Sequence, residues 1–128
     1  MLATEGGKSK LSDQEEKLTQ AKIKELVKLR AQLNGNLAIG HLKRDEVDEA
    51  EFYNDTCLRI DPENVKGFYR KVQIHVSRGE MKEAQELAIH CIARFKTDES
   101  AAKSFKELLT GEIADAIRKK ADKQALEG

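Results

Sequence analysis

The chain has 128 residues, enough for one small domain with its own core and too few for a second. Its 23 basic and 23 acidic side chains cancel, so no global field draws it to nucleic acid or an anionic membrane. Aromatics make up 5% and proline occurs once, while Ala, Leu, Lys and Glu dominate, which excludes a sheet protein in favour of an all-α one. Apolar runs are too short for a membrane span, and the N-terminus lacks the apolar core of a secretory leader. The expected compartment is the cytoplasm.

In chain order, residues 1–11, with Gly6-Gly7, show no periodicity and are expected to be a disordered tail. Ser12 followed by Glu15 is a capping box, which opens a helix. Leu18, Leu26, Leu29, Leu33 and Leu37 carry that helix on at helical spacing, so it runs unbroken into whatever follows. Leu37 with Ala38 reads as a large-then-small pair for helix packing. Gly35 and Gly40 each weaken a helix by about 1 kcal/mol relative to Ala, so close packing or backbone approach to a ligand is expected there. Asp61-Pro62 closes the next helix, Asn64 caps the one after it and Gly79 stops it. Thr97 and Asp98 begin a final helix whose Ala101, Phe105, Leu108, Leu109, Ile113 and Ile117 form an apolar stripe.

Sliding the chain along itself by 34 residues aligns His41 with His75, Arg44 with Arg78, Glu46 with Glu80, Glu49 with Glu83, Ala50 with Ala84 and Cys57 with Cys91. A 34-residue period of helix-turn-helix units is the length of a tetratricopeptide repeat (TPR). The units run from Ala31 to Asn64 and from Val65 to Asp98. The expected fold is therefore an all-α TPR solenoid: residues 12–98 hold two units with an extended first helix, and 99–128 form a C-terminal capping helix. Ala50 and Ala84 fall where the helices of each hairpin approach closely. Cys57 and Cys91 take the same inward position, about one repeat apart, which argues for reduced core thiols and against a disulfide.

No catalytic constellation is expected. His41 and His75 are repeat equivalents and read as structural, the third histidine, His90, has no ligand-spaced neighbour, and no Gly-rich loop could cradle a phosphate. Neither metal nor cofactor is expected. A binding cluster does emerge. Asn36 and Arg70 are one repeat apart, and Lys66 lies one helical turn before Arg70 on the same face. Stacked first helices would bring an amide, an ammonium and a guanidinium together, a set suited to carboxylates of an extended peptide. Gln32 and Gln73 are polar neighbours. The bland alternative is a solvated helix face. A basic C-terminal stretch from Arg118 to Lys123 could suggest calmodulin or a membrane surface, but Glu112, Asp115 and Asp122 interrupt it.

The run Gly35-Asn36-Leu37-Ala38-Ile39-Gly40-His41-Leu42-Lys43, and the run Ile60-Asp61-Pro62-Glu63-Asn64-Val65-Lys66-Gly67-Phe68-Tyr69-Arg70-Lys71, resemble two segments of the TPR domain of FKBP-type immunophilins. Both fall in register with the repeat, and the resemblance covers about residues 20 to 125. It implies a carboxylate clamp in which Asn36, Lys66 and Arg70 hold the acidic Met-Glu-Glu-Val-Asp tail of heat shock protein 90. The family's clamp draws a further Lys and Asn from an earlier repeat, for which there is no room before Ala31, so the clamp is expected to be partial. The family's isomerase domain has no counterpart here, since nothing reads as strands. The competing expectation is a self-associating scaffold with a vestigial clamp, dimerising through the apolar stripe of the long first helix.

Overall fold

The computed structural model describes residues 12–127; the expected tail at 1–11 lies outside them. The described chain is all helical: α1 (Asp13–Lys43), α2 (Val47–Ile60), α3 (Val65–Ser77), α4 (Met81–Arg94), α5 (Glu99–Leu108), a π-helical turn (Leu109–Ile113) and α6 (Ala114–Glu127). Ser12 opens α1 by accepting the Glu15 N–H at 3.1 Å, and its hydroxyl donates in return to the Glu15 carboxylate at 3.2 Å. As expected, α1 then runs without a break through Lys43.

The sequence period reappears in the backbone. Val47 and Met81 open α2 and α4, Ile60 and Arg94 close them, Lys43 and Ser77 close α1 and α3, and Val65 and Glu99 open α3 and α5, each pair 34 residues apart. The same offset relates the local chemistry. Asn64 caps α3 by accepting from Gly67 N–H at 2.8 Å, and Asp98 caps α5 by accepting from Ala101 N–H at 3.1 Å. His41 Nδ1 meets Glu46 Oε1 at 2.8 Å and His75 Nδ1 meets Glu80 Oε1 at 2.9 Å, each pair closing one interhelical turn. Those turns need one left-handed residue, supplied by Asp45 at φ 60° and Gly79 at φ 77°. The histidines are thus turn closers, in line with their structural reading.

Consecutive helices from α1 to α5 pack against one another, but the layers differ in what they bury. Between α1 and α2 the buried residues are small: Ala31, Gly35 and Ala38 on one side, Ala50, Asn54 and Cys57 on the other. Small side chains let the two backbones approach closely. Further along, α3, α4 and α5 enclose the main core of Val72, Ala84, Ala88, Cys91, Phe105 and Leu108, with Ile113 from the π turn. Both cysteines are buried and free.

Two expectations need correction. Leu37 does not pack beside Ala38: Ala38 is fully buried, whereas Leu37 points to solvent. The capping helix is not one α-helix either. In an unbroken α-helix Leu108 and Ile113, five residues apart, would face different ways. The wider π turn returns Ile113 to the core face, and both are buried. Thr110 fits that turn, its hydroxyl donating to the Lys106 carbonyl at 3.0 Å.

Candidate functional site

Helices α1, α3 and α5 frame a groove of about 460 Å³, with Lys66, Tyr69, Arg70 and Gln73 contributed by α3, Ile39 by α1 and Ser104 by α5. A second recess of about 620 Å³ shares the Ile39 and Gln73 wall and continues toward Lys43 and toward Glu112, Asp115 and Lys119. Three of the sequence-derived residues, Lys66, Arg70 and Gln73, therefore come together in one groove. Asn36 and Gln32 do not line it. They stand exposed on α1, one and two turns before Ile39, on the side of the helix that Ile39 presents to the groove.

Arg70 occupies an unusual position for a surface-type residue, being only 6% exposed. Its guanidinium lies against α1 at Gly35, where a Cβ would come within 2.6 Å of Nη2. Gly35 is thus explained by close approach, as the sequence suggested, though the neighbour is an arginine of the same chain. Nε–H donates to Asn54 Oδ1 at 2.9 Å, and Nη2 lies 3.6 Å from the Cys57 sulfur. The amide of Asn54 is itself anchored, Nδ2 donating to the Gly67 carbonyl at 2.9 Å. Gly67 keeps α3 close to α2, since a Cβ there would fall 2.7 Å from Leu58 Cδ2.

Every hydrogen-bond partner of Arg70 among the described residues is neutral, and none of their carboxylates pairs with it. An arginine remains charged at all ordinary pH. Removing that charge from water without a counter-ion is costly, and the charge projects a positive potential into the groove that it lines. Lys66, exposed one turn earlier, adds to it. On the same helix the Tyr69 phenol is held above its usual range by burial, and then by Glu112 and Glu107, so it stays a neutral hydroxyl. The groove is therefore polarised, cationic at Lys66 and Arg70 and of mixed sign toward Glu112 and Asp115.

Burial pushes the Cys91 thiol up to about 11, which leaves it protonated and weakly nucleophilic. Among the described residues no group of three His, Cys, Asp or Glu side chains is placed to hold a metal. Sequence reasoning missed Asn54, the residue that orients Arg70. One signal was available: its repeat equivalent is Ala88, so a polar amide stands where the repeat calls for a small core residue. No family model, curated protein or solved structure matches the chain. Its own geometry is what bears on function.

Proposed function

We propose that this chain is a non-catalytic TPR interaction module of the cytoplasm that holds the acidic C-terminal tail of a partner of the heat shock protein 90 type. The observation that carries the reading is Arg70: a nearly buried guanidinium with only neutral partners among the described residues, on a side chain that lines a groove together with Lys66 and Gln73. A carboxylate entering there gains charge-assisted hydrogen bonds and relieves an uncompensated charge. A peptide's last residue presents two such carboxylates when it is Asp. The 34-residue backbone period and the immunophilin-like runs around Asn36 and Lys66 support the same reading. Asn36 and Gln32, exposed along α1, would contact the peptide upstream of its terminus.

The test is calorimetric titration with a Met-Glu-Glu-Val-Asp peptide and with its C-terminally amidated form. Saturable, salt-sensitive heat is expected from the acid and none from the amide. Because Lys66 is exposed, Lys66→Ala should leave the fold intact and weaken binding by roughly 1.5 to 3 kcal/mol, the range for hydrogen bonds to charged groups. Equal binding of acid and amide, or no heat from either, would overturn the proposal.

A further inference from the structure

The N-terminal part of α1, residues 13–30, is exposed at every residue, and its second half passes the end of α2 at Ile60 and Asp61. Among the described residues the leucine band of α1 has no partner: Leu18, Leu26, Leu29, Leu33 and Leu37 are 46% to 66% exposed. The band lies on the side of α1 away from Ala31 and Ala38, which meet α2. Single exposed leucines are ordinary, but five along one helix face make a contact surface. Gly40 ends the band, and a Cβ there would meet nothing within 4 Å. Packing within the chain thus gives no reason for a residue that weakens a helix interior.

We propose that the band pairs with the same band of a second copy, α1 antiparallel to α1, about a twofold axis at Leu29. The band is self-complementary in this register. Counting equal distances from Leu29 sets Leu18 against Gly40 of the partner subunit, a large side chain over an open seat. Leu26 falls beside Leu33 of the partner subunit, and Lys22 meets Asn36 of the partner subunit, so pairing of α1 and the upstream peptide contact at Asn36 exclude each other. Charge selects the same direction. The first turn of α1 is acidic, with Asp13, Glu15 and Glu16, and its last turn is basic, with His41 and Lys43. Antiparallel pairing sets Glu15 opposite Lys43 of the partner subunit, whereas parallel pairing would place each acidic turn against its own copy.

Arg44 points the same way. Its repeat equivalent, Arg78, reaches back to the preceding hairpin, to Asp48 and Glu51, at 2.6 Å each. Among the described residues Arg44 has only a local contact with Glu46 at 3.4 Å, and its side chain is 73% exposed. The twofold brings the acidic first turn of a second copy toward it. Each exposed start of α1 then covers the face that the partner's first hairpin leaves open, in the isologous manner of a twofold dimer.

The test is the mass of the full chain by light scattering over a wide dilution series, without peptide, so that its outcome is independent of tail binding. The mass should climb from 14.4 kDa toward twice that value as concentration rises. Leu29→Lys, at a half-exposed position, should keep the circular dichroism of the unsubstituted chain and remain monomeric where that chain is dimeric. Under mild oxidation Leu29→Cys should cross-link to its own copy and Leu18→Cys should not; Cys57 and Cys91 are buried and do not interfere. A single 14.4 kDa species at every concentration, a dimer that survives Leu29→Lys, or Leu18→Cys cross-linked to itself would each overturn the proposal.

Discussion

Asn54 decides what Arg70 can do. Its carbonyl oxygen takes the Nε–H and its amide is fixed by the Gly67 carbonyl, so the guanidinium is oriented by a neutral group. Asn54→Ala strips both bonds from buried partners and should lower stability by roughly 1.5 to 3 kcal/mol, read from urea unfolding. Asn54→Asp is the sharper variant, because it places a counter-ion beside Arg70 in a side chain of the same size, at the cost of the bond to the Gly67 carbonyl. Tail affinity should fall while the fold persists. If Asn54→Asp bound the acidic peptide as tightly as the unsubstituted chain, Arg70 would not be the anchor of the carboxylate. Lys66 and Arg70 sharing a face was legible from their four-residue spacing. The burial of Arg70 was not, because helical spacing orders residues around one helix and says nothing of the glycine on a neighbouring helix that admits a guanidinium.

Between elements, the two hairpins are tied by Arg78, whose guanidinium spans Asp48 and Glu51 of α2. The hydrogen bond from Arg78 is the largest cause holding the Glu51 carboxyl below its usual value, ahead of a smaller opposing effect of burial. A carboxyl whose folded value is depressed contributes stability that is fully present above its unfolded value and disappears as pH falls through the folded one. The chain should therefore lose stability between the ordinary carboxylate range and the depressed value of Glu51. Glu51→Gln should shrink that acid-side loss relative to neutral pH, and an unchanged dependence of stability on pH would show that the contact is too solvated to count. Helix order and both hairpin turns were legible, since the period repeats His, Glu and the N-cap. The π turn was not: Thr110 and Gly111 weaken an α-helix there without specifying what replaces it, and only the five-residue step from Leu108 to Ile113 hints at the wider turn.

Among the described residues the packing is graded from the start of α1 to the π turn, beyond which α6 buries no residue. Residues 13–30 have no buried side chain, the α1–α2 layer buries small residues, and the aromatic and aliphatic mass collects among α3, α4, α5 and the π turn, where Phe105 stacks on Phe95. Buried apolar area sets how much free energy a segment must spend to open, so opening should be cheapest at the start of α1 and dearest around Val72, Cys91 and Phe105. Hydrogen exchange on a dilute sample should show fast amides over 13–30, intermediate ones in α2 and the slowest in α3, α4 and α5. Cys91 gives a second reading of the same gradient. Buried and with its thiol raised to about 11, it should resist alkylation at neutral pH until the C-terminal core opens. Concentration then separates the fold from the assembly. If two copies pair through α1, the amides of 18–40 should slow as the sample is concentrated, while those around Cys91 keep their rate. Protection of 13–30 that is already high at extreme dilution would mean that the start of α1 is stabilised within one chain, and the graded core would not be what governs its opening.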